Sequence, residues 1–273
     1  MLMLCATPIG NLGDITLRAV EALTACDAVY CEDTRHTLQL LNHLNIKKPL
    51  VSCHQHNEQM RAKEVVDRLR AGETIVYASD AGMPGISDPG AALVRACIEA
   101  DLPFTVLPGA SAVLTAAVLS GMTPTPFTFF GFLPREGKPR KEVLRAIAAC
   151  NHLALLYESP QRVRATLLDL QNALGDADAA VMRELTKKFE EVKRGRLSGL
   201  AAFYETAPRG ECVIAVNAQK AEVAATEEEI DAALKGELAA GASVRDAAAA
   251  VADMLHIPKK QAYARALTLG KEE

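Results

Sequence analysis

The chain is 273 residues long, 49% hydrophobic and 23% charged, with a formal net charge of -4 at pH 7, so it has the apolar content for real cores in two main domains, which excludes a disordered or low-complexity protein. The weakly acidic balance gives no global pull toward nucleic acid, and any such contact must come from local basic patches. Apolar stretches break well short of the ~20 residues a membrane-spanning helix needs and residues 1–6 carry no basic leader, so the chain reads as cytoplasmic and without a membrane partner.

The first half repeats one grammar five times. Short apolar runs at 2–6, 28–31, 50–53, 74–78 and 104–107 each precede a polar or glycine-containing turn and then a helical pattern. This βα alternation predicts a parallel sheet whose five turns share one edge, where open α/β sheets place their ligands. The fourth turn, SDAGMPGISDPG from Ser79 to Gly90, is the most telling. Three glycines and two prolines fix its backbone while keeping it bare, which suits a loop wrapped around a small molecule. Asp88 before Pro89 reads as a helix N-cap. Asp80, at the strand end, reads as a ligand contact or as a stabiliser of the loop. Ser111 reads as the N-cap of a helix over 112–119 that is apolar nearly all round and so expected to be fully buried; the cap is compatible with ligand contact. Neither GxGxxG nor GxxxxGK[ST] occurs, so phosphate-rich cofactors lose support.

Cysteines are scattered singly through the apolar runs with no CxxC pair, which fits reduced thiols rather than a disulfide frame. Cys53-His54-Gln55-His56 is the one metal-like cluster, and it has no partner cluster.

Pro124 and Pro126 mark the change to a second mixed domain, with strand-like runs at 127–132, 153–157, 179–182 and 212–216 between helical segments. Basic residues gather in two places. Arg135, Lys138, Arg140 and Lys141 lie in a stretch broken by Gly and Pro and read as a loop, while Lys187, Lys188, Lys193, Arg194 and Arg196 crowd a second stretch. Both suit RNA phosphates, and both also read as solvated surface. Beyond Lys220 a helical tail begins. Thr226 to Glu229 forms a capping box, Gly241 closes that helix, Ser243 starts the next, and after a turn through His256-Ile257-Pro258 a third carries Lys259, Lys260 and Arg265. Between Ser243 and Lys271 there are five basic and two acidic residues, so RNA docking is one reading of the tail and packing on the main body or a second copy is the other. The expected boundaries are 1–121, 122–222 and 223–273.

In this order and at these intervals, ATPIGNLGDIT, CEDTR, SDAGMPGISDPG, PGASA, GFLPR, YESPQR and RELTKKFEE resemble the ribosomal RNA small subunit methyltransferase I family of the tetrapyrrole methylase superfamily. The resemblance covers almost the whole chain. It implies two α/β domains of the tetrapyrrole methylase type, with an S-adenosylmethionine cleft between them and a small C-terminal helical, helix-turn-helix-like appendage. It also implies a homodimer and 2′-O-methylation of a decoding-centre cytidine in 16S rRNA, within the small ribosomal subunit. Carried onto this chain, the superfamily pattern places cofactor contacts at Pro8, Ile9 and Gly10, at Asp80, Gly82, Met83 and Ile86, at Ser111 and Ala112, and at Tyr157 and Leu185. No metal is needed, because the sulfonium already activates the methyl group.

A ribose hydroxyl is a poor nucleophile until its proton is drawn away, so a positioned base or a stabilising cation is chemically useful. Candidates follow the second strand (Glu32, Asp33, Arg35) and the third (His54, Asn57), and stand in the second domain (Glu184, Lys187, Lys188). Lys187 and Glu184 rank first, on the argument that the adjacent Lys188 lowers the pKa of Lys187. Asp33, Arg35, His54, Asn57, Arg135, Lys138, Arg140 and Lys188 are the expected RNA contacts. A tetrapyrrole (precorrin-type) methyltransferase and a noncatalytic RNA-binding protein remain the alternatives. The first leaves the basic tail without a purpose, and the second leaves the cofactor-enclosing loops without one.

Overall fold

The computed structural model describes residues 1–87, 89–219, 226–255 and 257–269. The chain divides into two compact units, Met1–Gln219 and Lys220–Glu273.

The first unit opens with the βα series. Strands β1 (Leu2–Cys5), β2 (Ala28–Cys31), β3 (Leu50–Ser52), β4 (Ile75–Ala78) and β5 (Phe104–Leu107) alternate with helices α1 (Leu17–Ala25), α2 (Thr34–His43), α3 (Glu58–Arg70), α4 (Ala91–Glu99) and α5 (Ala112–Leu119). The sheet is wholly parallel in the order β3-β2-β4-β1-β5. The chain thus runs outward from β1 to β3 and returns to fill the slot beside β1 with β4. Period-two alternation sends Leu2, Leu4, Tyr30 and Tyr77 into a core on one face, while Cys5, Val29 and Val76 enter a core on the other. Both faces are covered, as an all-parallel sheet requires. All seven cysteines are free, and burial pushes Cys5 and Cys53 up to about 12, which keeps both as inert thiols.

The second lobe of this unit holds β6 (Phe127–Phe132), α6 (Gly137–Ala149), β7 (Leu153–Glu158), α7 (Val163–Leu174), β8 (Asp178–Arg183), β9 (Glu191–Arg196), α8 (Leu197–Phe203) and β10 (Cys212–Asn217). The sheet order is β6-β7-β10-β8-β9, and only the β6–β7 pair is parallel. Helices α6 to α8 cover one face through Ile147, Leu167, Leu170 and Leu200. The other face is covered by α5, whose Val113, Ala116 and Ala117 pack on Leu155, Met182 and Val213. One helix of the first series therefore closes the core of the second sheet.

Two expectations are corrected here, for helix α5 and for residues 137–149. Helix α5 is not fully buried: Leu114 and Val118 are 57% and 74% exposed, because the helix meets a sheet on one side only. The stretch with Lys193, Arg194 and Arg196 is the edge strand β9, where charge blocks further strand pairing. Residues 137–149 form α6 rather than a loop, since Gly137 and Pro139 fall in its first turn, where a missing N–H costs nothing. Asp88 lies outside the described residues, and the N-cap of α4 is Gly90 at φ 129°.

The described residues of the second unit form three helices, α9 (Glu227–Ala239), α10 (Val244–Met254) and α11 (Lys259–Leu269). Thr226 and Glu229 form a reciprocal capping box, and Ser243 caps α10 by accepting from the Asp246 N–H. Ile230, Leu234 and Val251 fill its core, and Ala247, Ala248, Ala252, Ala262 and Ala266 are small enough to allow close helix approach. Arg265 donates bidentately to Asp231 at 2.6 and 2.7 Å. His256 and Lys271, which also belong to the expected tail pattern, lie outside the described residues. Among the described residues no helix is long and apolar enough to cross a membrane.

Candidate functional site

The loops that follow β1 and β4 are sewn together at the carboxyl edge of the first sheet. Thr7 N–H donates to the Gly82 carbonyl at 3.1 Å, Gly82 N–H returns to Thr7 at 3.0 Å, and the Thr7 hydroxyl donates to the Ser79 carbonyl at 3.0 Å. Gly82 sits at φ 76°, a conformation strained for any residue with a side chain. The loop after β2 joins this frame, because Asp33 N–H donates to Asp80 Oδ1 at 3.1 Å. Ser111 stands beside them as the N-cap of α5, accepting from the Leu114 N–H.

Facing these loops is the second lobe. Tyr157 at the end of β7 is held edge-on between Phe129 and Phe132, with ring centroids 4.7 and 5.4 Å away. The next residue, Glu158, is 1% exposed. Its carboxylate accepts from Ser159 N–H at 2.8 Å and from the Thr166 hydroxyl at 2.6 Å, and Arg162 lies 3.4 Å away. The turn after β8 is unusual, with Glu184 and Thr186 both in the left-handed region at φ 51° and 64°. Hydrogen bonds from Glu184 N–H to Glu211 O and from Thr186 N–H to Glu190 Oε2 hold it. The turn seats Leu185 and meets the first lobe at Asn11, whose N–H donates to Thr186 Oγ1 at 3.0 Å. Gly10 fits against it because a Cβ there would stand 2.9 Å from the Leu185 carbonyl oxygen.

Between these two walls lies a cavity of ≈ 490 Å³. Ile9, Asp80, Gly82, Met83, Ile86, Ser111, Ala112, Tyr157 and Leu185 line it, all residues that the sequence pattern marked for cofactor contact. Pro8 and Gly10 flank Ile9 but do not line it; Pro8 is buried and Gly10 packs on the 184–187 turn. The lining also contains Glu32, Phe132, Glu158, Glu211 and Val213. Sequence reasoning left these out of the cofactor set, since the turn ahead of β10 carries no motif, although Glu32 sits in CEDTR and Glu158 in YESPQR.

Charge in the cavity has one sign. Glu32, Asp80, Glu158 and Glu211 line it, with no Lys, Arg or His among the described lining residues. Burial first and the neighbouring Asp80 next push the Glu32 carboxyl above its ordinary pKa, with Asp33 adding to the effect and His54 opposing it. Among the described residues no group of three or more His, Cys, Asp or Glu side chains is placed to hold a metal ion.

Glu184 and Lys187 stand outside the lining. Lys187 Nζ is 2.9 Å from Glu184 Oε1 and 3.3 Å from Glu211 Oε2. Its burial, the largest single influence, would lower its pKa, but the two carboxylates outweigh it and hold the ammonium above its ordinary value. The lowered-pKa argument for Lys187 is therefore overturned, because its close partners are anions. Arg140 is corrected too: at 8% exposed, it donates to Asp169, Pro134 O and Thr166, so its guanidinium is spent inside the lobe. Asp33 caps α2 and pairs with Arg35, whose hydrogen bonds hold its carboxyl down at about 2. Asn57 shapes the turn after β3, accepting from His54 N–H and donating to Ser52 O. That turn does not line the cavity, because β3 is the outermost strand. Arg135, Lys138 and Lys188 are exposed.

Residues 1–201 match the family model for tetrapyrrole (corrin/porphyrin) methylases, and residues 224–270 match the model described as the RsmI C-terminal HTH domain. A protein of Synechocystis named ribosomal RNA small subunit methyltransferase I is 42% identical over 273 residues, covering 98% of either chain. This chain belongs to that family. A Bacillus subtilis member of the same name is 38% identical over 270 residues, spanning 96% of this chain and 92% of that one. Among solved structures, a diphthine synthase superposes with a TM-score of 0.61 at 18% identity, over 79% of this chain and 89% of that one. The uroporphyrin-III C-methyltransferase of Thermus thermophilus, complexed with S-adenosylhomocysteine, gives 0.58 at 18% identity, over 80% and 97%. At such identity these two show the family's fold of two α/β lobes, and the helical appendage is a separate addition to it.

Proposed function

We propose that this chain uses S-adenosylmethionine to methylate the ribose 2′-hydroxyl of a decoding-centre cytidine in 16S rRNA, acting in the cytoplasm as a homodimer on the small ribosomal subunit. The observation that carries the cofactor is the sign of the cavity: four carboxylates and no cation among the described lining residues suit a ligand bearing a sulfonium and an ammonium, and repel the phosphates of a nucleotide cofactor. Ile9, Ile86, Leu185 and Val213 supply apolar wall, and Gly82 brings bare backbone close, so the residues present fit the group. Bound there, S-adenosylmethionine would supply a methyl carbon already activated toward an oxygen nucleophile.

The chain's own part is to hold, orient and exclude. Asp80, fixed by Asp33 N–H, offers its second oxygen to the cationic end of the ligand. The Tyr157 ring, wedged by Phe129 and Phe132, gives a rigid flat wall. Latching of the 184–187 turn onto Asn11 keeps the two walls at fixed spacing, which near-attack alignment requires. The names of the relatives support an rRNA acceptor, and the basic balance of residues 243–271 supports docking by the tail. Calorimetric titration with S-adenosylmethionine, followed by mass-spectrometric mapping of 16S rRNA with and without the protein, tests the reading. One new ribose methyl at a decoding-region cytidine is expected. Methylation of a base instead, or no uptake of the donor, overturns it.

A further inference from the structure

We propose that Glu32 is the catalytic base of this site, accepting the proton of the acceptor hydroxyl. The inference rests on the methyltransferase reading above and adds to it a residue outside the cofactor pattern. Elimination among the four cavity carboxylates carries it. Glu158 is saturated by Ser159, Thr166 and Arg162. Glu211 is a rim group, its side chain 83% exposed and paired with Lys187. Asp80 is oriented by Asp33 N–H and belongs to the motif that encloses the cofactor. Glu32 lines the same cavity at the end of β2, and among the described residues its carboxylate has no hydrogen bond or ion pair. A base must keep an oxygen open toward the proton it removes; both oxygens of Glu32 are open, whereas the one open oxygen of Asp80 is assigned above to the cationic end of the donor.

Its surroundings suit the task. Asp33 on its own turn, Asp80 from the loop after β4 and His54 from the turn after β3 are the titratable groups facing it. Burial and the two aspartates favour its protonated form, which strengthens it as a proton acceptor at neutral pH. An acidic cavity admits a neutral ribose and turns phosphates outward, where Arg35, three residues along and 88% exposed, can meet them. In the transfer step the hydroxyl proton passes to Glu32 and the oxygen lone pair forms the bond to the methyl carbon. The carbon–sulfur bond breaks with its pair retained by sulfur as a neutral thioether. Glu32 then returns its proton to water.

The test compares Glu32→Gln and Glu32→Asp with the unaltered protein in single-turnover methyl transfer from S-adenosylmethionine to purified small ribosomal subunits lacking the modification. Glu32→Gln is expected to slow transfer by about 10²–10⁴-fold and to abolish the rise of rate with pH, whereas Glu32→Asp keeps that rise at an intermediate rate. Calorimetric affinity for the donor should stay within about threefold of the unaltered protein, a difference well under 1 kcal/mol. Ligand-free thermal unfolding gives a readout independent of turnover. A carboxyl whose folded pKa is raised binds its proton more tightly folded than unfolded, so ionised Glu32 costs stability as pH rises through that pKa. Glu32→Gln should therefore melt at or above the unaltered protein at neutral pH, with the gap closing in acid. Full-rate transfer by Glu32→Gln overturns the proposal, as does loss of donor affinity, which would make Glu32 a cofactor ligand. A lowered melting temperature at neutral pH would assign it a structural role and likewise overturn it. Absence of transfer by the unaltered protein removes the parent reading too, and so is distinguishable from failure of Glu32 alone.

Discussion

The two walls of the cavity differ in how their polar groups are employed. On the first-lobe side, Glu32 and Asp80 stand at strand ends with between them one inward hydrogen bond, from Asp33. On the second-lobe side, Glu158 is saturated, Tyr157 is wedged between two phenylalanines and Lys187 is tied by two carboxylates. The parallel sheet thus offers unspent groups for chemistry, and the mixed sheet offers a surface of fixed shape. The reason is topological. Every crossover of a parallel sheet ends in a loop at the same edge, so polar residues collect there without having to pair. The second lobe has antiparallel pairs and spends its polar residues on locking tight turns.

That contrast can be broken by substitution. The largest effect belongs to the second-lobe wall. Glu158→Ala should cost about 2–5 kcal/mol in denaturant unfolding, because it leaves the buried Thr166 hydroxyl and the Ser159 N–H without an acceptor at about 1–3 kcal/mol each; a cost below about 1 kcal/mol would show that Glu158 is not the structural carboxylate inferred here. On the opposite wall, Asp80→Ala should weaken donor binding by about 10–100-fold in calorimetry, the range for hydrogen bonds to a charged group, with little change in melting temperature. Equal affinity would move the cationic end of the ligand elsewhere.

Smaller effects sharpen the picture. Removing residues 220–273 should lower affinity for small ribosomal subunits by about tenfold and flatten its salt dependence, leaving donor affinity untouched. An unchanged salt slope would sink tail docking. Lys187→Ala should cost no more than about 1 kcal/mol in stability, since its side chain is 32% exposed and the ion pairs are partly screened. Turnover should stay within about threefold and keep its pH profile, in contrast to Glu32→Gln. A lost pH limb in Lys187→Ala would reverse the contrast between the walls.

Much of the architecture was legible in the chain. The five apolar runs of the first half are β1 to β5, and the cap signals at Ser111, Thr226 and Ser243 operate as read. Such features depend on a few neighbouring residues, through side-chain alternation, cap chemistry and glycine placement. Harder to read was anything whose environment comes from distant segments. Helix α5 looked buried all round, yet Leu114 and Val118 are exposed; Arg140 looked like loop charge, yet it is enclosed by Asp169 and Thr166.

The titratable groups around the cavity were the hardest to rank for the same reason. From sequence, Glu32 and Lys187 are both titratable groups beside a motif, and a lysine pair even suggests a lowered pKa. Tertiary structure alone tells their surroundings apart, by setting two anions against Lys187 and placing Glu32 in the cavity lining with Asp80 as neighbour. Short-range chemistry, local in the chain, determined the elements, the caps and the bare loop that lines the cavity. Which carboxylate is spent and which stays available is a balance of burial and charge among residues far apart in sequence, and only the packed lobes supply it.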